Sequence, residues 1–180
     1  MPLISNVSHL QMKIRRLTPA DASQFQALRL AGLKDEPLSF ASSYEEEKAL
    51  PVSTIEDRLA IKPDRGTFGA FESESLVGLV ALGREDMKKL RHKALIWGMY
   101  VKPEFRGKGI ARSLICEALS LARSVPELKQ VNLCANARNL TAIKLYESLG
   151  FKAFGHEPGS MLINGELQDE IHMYLRLADG

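Results

Sequence analysis

The chain has 180 residues, of which 45% are hydrophobic and 26% charged, the balance of a globular protein with room for one sizeable core. Its formal net charge of +2 argues against a polyanionic partner such as nucleic acid, and no apolar run approaches the roughly 20 residues of a membrane span. Two cysteines, Cys116 and Cys134, are too few for a disulfide framework or a metal site, so they are expected as small buried hydrophobes in a reducing, cytoplasmic setting.

Residues 1–11 lack the basic segment and apolar core of a secretory leader and read as a short N-terminal arm, leaving 12–180 as a single domain. Residues 12–17 alternate as a first strand. Thr18, Pro19 and Asp21 then supply a cap, a first-turn proline and a first-turn acid for a helix to about Leu33, with Ala22, Phe25, Leu28, Arg29 and Gly32 on one face. Residues 40–48 (F-A-S-S-Y-E-E-E-K) read as a loop or short helical turn, a lip that offers rings and carboxylates to a cationic substrate. Residues 53–60 read as a second helix, with Ser53 and Glu56 as a capping box. Two strands, 66–72 and 76–82, are joined by a tight hairpin, and a polar turn follows at 83–91.

Residues 94–101 form an apolar run expected of a strand buried on both faces. Pro103 stops it, and Arg106-Gly107-Lys108-Gly109-Ile110-Ala111 opens a helix whose apolar stripe is Ala111, Leu114, Ile115, Ala118, Leu119 and Ala122. A strand, a glycine turn and a helix N-terminus make an anion site: the first N–H groups lack internal partners, the dipole points its positive end there, and Arg106, Lys108 and Arg112 add charge. Residues 130–135 alternate as the next strand. Asn139 leads into a helix with Ala142, Leu145, Tyr146 and Leu149 on one face, ended by Gly150. Two last strands, one beginning at 151–154 and one carrying Ile171, Met173 and Leu175, flank the turn signal Asn164-Gly165. The order specifies an α/β or α+β sheet with helices on its faces.

Two motifs give the chain a strong resemblance to the GCN5-related N-acetyltransferases. The family's R/Q-x-x-G-x-G/A stands as Arg106 to Ala111, preceded by Val101-Lys102-Pro103, and its N-x-x-A-x-x-L-Y-x-x-x-G-F stands as Asn139 to Phe151. The resemblance covers essentially everything after the arm and implies a mixed, mostly antiparallel central sheet. It implies acetyl-CoA as the cofactor, with backbone groups around Met99, Tyr100 and Val101 pairing with the pantetheine arm. The amides of Arg106, Gly107, Lys108, Gly109, Ile110, Ala111 and Arg112 would hold the pyrophosphate, and Asn139 would contact the cofactor. Tyr146, by spacing alone a core aromatic, becomes the acid that protonates the departing thiolate. Homodimers are common in the family.

An alkyl amine with a pKa near ~10.4 must lose a proton before it attacks a thioester. The carbonyl oxygen meanwhile needs a donor, for which the backbone N–H of Met99 or Val101 is the position to suspect by resemblance. Some members carry a glutamate on the central strand; Leu95 stands at that position here. The remaining candidates for the base are Glu46, Glu47, Glu72, Glu74, His92 and His156, the last in the loop after Phe154, or a water relay, while Asp169 and Glu170 could recognise a substrate ammonium. Neither cysteine has a histidine beside it in sequence, so direct transfer in a ternary complex is expected. Tyr44, Glu46, Glu47 and Trp97 are the candidate acceptor-binding residues, pointing to a small primary amine. Acetylation of a protein N-terminus or lysine, and a non-catalytic acyl-CoA-binding module, are the alternatives; neither a metal, nor a nucleic acid, nor a membrane is expected.

Overall fold

The computed structural model describes residues 12–177; the expected N-terminal arm lies outside them. In chain order come β1 (Met12–Arg16), a 3-10 turn (Pro19–Asp21), α1 (Ala22–Asp35), α2 (Tyr44–Lys48), α3 (Val52–Leu59), β2 (Gly66–Glu72), β3 (Ser75–Arg84), β4 (Lys93–Val101), α4 (Ile110–Arg123), β5 (Gln130–Asn136), α5 (Leu140–Ser148), β6 (Lys152–Ile163) and β7 (Glu166–Arg176). The strands form one sheet in the order β1-β2-β3-β4-β5-β7-β6, and only the β4–β5 pair is parallel. This is the mixed, mostly antiparallel sheet that the resemblance implies.

Helices cover both faces, each over its own apolar cluster. On one face α4 lays down Ile110, Leu114, Ile115, Ala118, Leu119 and Ala122, a stripe at helical spacing that packs with Val80, Ile96, Val131 and Met173 of the strands and with Tyr146 of α5. On the other, Phe25, Leu28 and Leu33 of α1 and Ile55 and Leu59 of α3 cluster with Leu76, Leu79 and Tyr100. Gly32 is required where it stands, because a Cβ there would lie 2.9 Å from the Tyr100 ring. The Tyr100 hydroxyl donates to Asp35, tying the end of β4 to the end of α1.

Local chemistry accounts for most boundaries. Asp21 receives the Thr18 N–H (2.8 Å) and two Arg15 N–H bonds (2.8 and 2.7 Å) at the entry to α1. The β6–β7 hairpin turns on Asn164 and Gly165, both at positive φ (51° and 80°), as a two-residue primed turn requires. Three expectations need correction. The second helix begins at Val52 with extended Pro51 in the cap position, so Ser53 falls inside the first turn and caps nothing. His156 lies in β6, which runs 12 residues, and not in a loop. And β4 is buried on both faces only at its end, where Tyr100 and Val101 enter the two clusters: earlier, Ala94 and Ile96 pack toward α4, whereas Leu95 and Trp97 are 41% and 37% exposed on the opposite face.

The backbone of β4 also leaves its parallel neighbour. β4 pairs with β5 only from Lys93↔Gln130 to Leu95↔Asn132. Across β3, Leu79 pairs with Tyr100 and Ala81 with Trp97, so Gly98 and Met99 together face Val80. That is a β-bulge, taken up by Gly98 at φ +67°, and a bulge bends the strand that carries it. Beyond Leu95 the two parallel strands part, and the edge of β4 that would face β5 has no strand on it.

Candidate functional site

Two clefts meet where β4 and β5 separate. The larger, about 750 Å³, runs from Met99, Tyr100 and Val101 past Arg106, Gly107, Gly109, Ile110, Ala111 and Arg112 to Asn139 and Tyr146. The smaller, about 490 Å³, lies on the α1 side, between Arg29, Phe40, Ser42 and Glu47, the β4 residues Leu95 and Trp97, and Cys134 and Glu170. Ser39, Met99, Asn136, Asn139, Ala142 and Tyr146 line both.

The turn into α4 forms one end of the larger cleft. Gly107 and Gly109 have φ of +74° and +78°, a conformation that favours glycine, and a Cβ on either would meet nothing within 4 Å. Ser113 N–H makes the first bond of the helix, to Gly109 O (3.1 Å), so the amides ahead of it at Ile110, Ala111 and Arg112 have no partner within the helix. The result is an open cradle of N–H groups at the positive end of a 14-residue helix. Arg106 turns back from it: Nε donates to Val101 O (2.9 Å) and Nη1 pairs with Glu36 (2.8 Å). Arg112 reaches Ser148 Oγ (2.6 Å). Lys108 is not on the cleft wall; its ammonium lies over the Phe105 ring, 5.1 Å from the centroid.

At the junction, α5 starts on Asn139, whose side-chain oxygen accepts the Ala142 N–H (3.1 Å). That cap fixes the helix carrying Tyr146 at the meeting point of the clefts. The Tyr146 ring packs edge-on to Phe151 with centroids 6.0 Å apart, and burial pushes its phenol up to about 12, so it stays a neutral donor at pH 7. Asn136, buried at the end of β5, uses its oxygen on the Arg138 N–H (2.9 Å) while its Nδ2 has no partner.

The smaller cleft holds a charge network. Glu47 is buried and receives Arg29 (Nη2, 3.2 Å), Arg58 (Nη1, 3.0 Å) and the Ser42 hydroxyl (2.8 Å). Burial opposes its ionisation, but the hydroxyl and the two guanidinium groups prevail and hold it below the ordinary carboxylate range. On the other wall Glu170 accepts the Ser160 hydroxyl (2.6 Å), and His172 lies 2.7 Å from Glu157 just beyond.

Most of the expected cofactor- and acceptor-binding residues come together here, and three of those do not line the clefts. Besides Lys108, Glu46 is spent on α2, accepting the Ser43 N–H (2.7 Å) while Ser43 Oγ accepts from Glu46 N. Tyr44 is sandwiched by lysines, with Lys34 Nζ 4.2 Å and Lys48 Nζ 5.5 Å from its ring centroid. Among the expected bases Glu72, Glu74 and His92 lie off both clefts, and His156 is paired with Asp169 at 2.8 Å. Both cysteines are exposed rather than buried, Cys134 on the wall of the smaller cleft and Cys116 on α4; partial desolvation of the thiol and then the nearby Glu170 carboxylate push Cys134 up to about 11. Sequence reasoning missed Asn136, Arg138 and the role of Arg29. The last had a signal, a charge in the middle of an apolar helical stripe.

Comparison with known proteins bears on the family and the fold. The family model described as acetyltransferase (GNAT) family matches residues 30–151. Spermidine N(1)-acetyltransferase of Vibrio cholerae is 34% identical over 102 residues, 57% of either chain, and human N-acetyltransferase 8B is 34% identical over 111 residues, 61% of this chain and 43% of the relative. The chain thus spans about half the length of the curated relatives it matches. Among solved structures, a GNAT-family acetyltransferase of Streptococcus pneumoniae superposes with a TM-score of 0.82 at 23% identity, over 93% of this chain and all of that one. An acetyltransferase of Salmonella typhimurium, determined with acetyl-CoA, superposes with 0.77 at 20% identity, over 94% of this chain and 95% of that one.

Proposed function

Since this chain belongs to the GNAT acetyltransferase family, we propose that it moves the acetyl group of acetyl-CoA directly to a primary amine of a small molecule, with both bound at once. The observation that carries the proposal is the meeting of two clefts at Tyr146, one ending in an open cradle of helix N–H groups and the other lined by Arg29, Glu47 and Glu170. The spermidine acetyltransferase relatives support an amine as that second molecule.

The residues fit CoA on three counts. The open cradle at Gly107 and Gly109 suits a pyrophosphate, the uncovered edge of β4 suits the amides of a pantetheine arm, and the orphaned Asn136 Nδ2 offers a donor at the junction. Because Val101 O already accepts Arg106, the groups left to pair along that edge are the Val101 N–H and those of Met99. Bound there, acetyl-CoA supplies a thioester carbonyl and a thiol leaving group. Tyr146 donates its proton toward the leaving sulfur. The acceptor sits in the smaller cleft. Of the two carboxylates on its wall, Glu47 is committed to two guanidinium groups, so Glu170 is the one that can take the amine's proton. The raised Cys134 thiol is a poor nucleophile, which favours direct transfer over an acyl-cysteine.

Incubation with acetyl-CoA and an amine panel, with free thiol and N-acetyl product followed together, tests the reading. Amine-dependent thiol release with stoichiometric product is expected. CoA binding without release on any amine would leave only a binding module, and product on a peptide or protein amine alone would reassign the acceptor.

A further inference from the structure

Building on the acetyl-transfer reading, we propose that the acceptor is an amino carboxylate, its carboxylate meeting Arg29 and its amine facing Glu170. Arg29 is only 5% exposed, yet it lines the smaller cleft. Its Nε and Nη2 are engaged with Glu47 Oε1 (3.4 and 3.2 Å), and Nη2 also reaches Ser42 Oγ (2.8 Å). Nη1 is buried and has no hydrogen-bond partner. A buried guanidinium N–H without an acceptor is costly, and a ligand oxygen is the group that would relieve it.

The surroundings fit an anionic guest. Nη1 lies beside Gly98, where a Cβ would come within 3.3 Å of it, so a side chain at this position of the bulge would crowd the donor. The guanidinium stacks over Phe40 (4.6 Å to the ring centroid) and stands 5.7 Å from Trp97, walls that exclude water and strengthen an ion pair. Charge points the same way. Arg29 and Arg58 share one carboxylate, so this wall carries one positive charge in excess. Glu170 on the opposite wall forms no ion pair with an arginine or lysine among the described residues and leaves a negative charge there. A molecule with a carboxylate at one end and an ammonium at the other matches both walls. A simple polyamine would match one and leave Nη1 unsatisfied.

The test uses wild-type protein and molecules that differ only by the carboxylate: L-phenylalanine against phenethylamine, L-ornithine against putrescine, L-lysine against cadaverine. Two readouts are taken, acetyl transfer from acetyl-CoA and equilibrium quenching of Trp97, the single tryptophan of the chain. In each responding pair the carboxylated member should be favoured by about tenfold or more, the scale of one hydrogen bond to a charged group. Equal or reversed preference overturns the proposal while leaving acetyl transfer standing, and no response to any carboxylated member in either readout overturns it too. Quenching by carboxylated members without transfer supports it and refutes the assigned activity instead. In Arg29→Lys the preference within a pair should collapse toward unity; a purely structural arginine would lower both members alike. Glu170→Gln should slow both members and leave the preference intact.

Discussion

Replacing Tyr146 with phenylalanine removes one oxygen from the meeting point of the clefts. The ring is buried and edge-on to Phe151, and phenylalanine keeps that contact, so stability should change by no more than about 1 kcal/mol. A positioned acid typically contributes about 10²–10⁴ in rate. Burial sets the end of that range that applies. A phenol pushed up to about 12 is a weak acid beside a thiol near ~8.5, so complete proton transfer is uphill, and the gain comes as a hydrogen bond to sulfur as the bond breaks. The loss in kcat should therefore lie near the lower end, about a hundredfold, or ~2.7 kcal/mol of barrier. Initial rates of thiol release measure it, and KM for acetyl-CoA should stay within about twofold, since the cradle at α4 is untouched. Because the phenol stays protonated across the neutral range, the wild-type profile should show no alkaline decline near pH ~9 that disappears in the variant. Full activity in Tyr146→Phe would refute the assignment, and so would such a decline.

Glu47→Gln should destabilise the fold by about 3–5 kcal/mol, because it leaves Arg29 buried without its counter-ion; a denaturant midpoint near wild type would mean Glu47 is no structural anchor. Gly109→Ala should lower stability by about 1–2 kcal/mol through the positive φ alone, since a Cβ there touches nothing, and a melting temperature equal to wild type would contradict that. The Arg15 hydrogen bonds hold Asp21 down to about 2, below its value in the unfolded chain. Its stabilisation is therefore present above pH ~4 and lost as pH falls toward 2, and urea unfolding of Asp21→Asn should show a shallower acid dependence over that window.

The parts of the molecule legible in the sequence are those set by local chemistry. The stripe of α4, the Asn164-Gly165 turn and the faces of α1 follow from spacing and from positive-φ preferences, and the structure places them within a residue or two of expectation. The expected strand buried on both faces failed over residues 94–97 for a non-local reason. Nothing in residues 94–101 reveals that the cluster under α1 takes in Tyr100 but not Leu95 or Trp97, which are left as cleft wall. Glu46 and Glu47 show the same limit at neighbouring positions. They are identical in type, yet one caps its own helix and the other anchors two arginines from α1 and α3, a difference set by which face of α2 meets those helices.

Gly98 ties these threads together. Its left-handed backbone absorbs the extra residue of the bulge, the bulge parts β4 from β5, and the gap exposes on one side the strand edge that suits an extended cofactor arm. On the other side its missing side chain lets the strand approach the unpartnered Arg29 Nη1 closely. In sequence this glycine is an interruption in an apolar strand, a common mark of a bulge or of a close backbone approach. Here both readings apply at once, so the residue that bends β4 beside the larger cleft also shapes the smaller one. Both residues line only the smaller cleft, but changing acceptor preference without loss of cofactor binding should be easier at Arg29 than at Gly98, whose bulge also shapes the edge of β4.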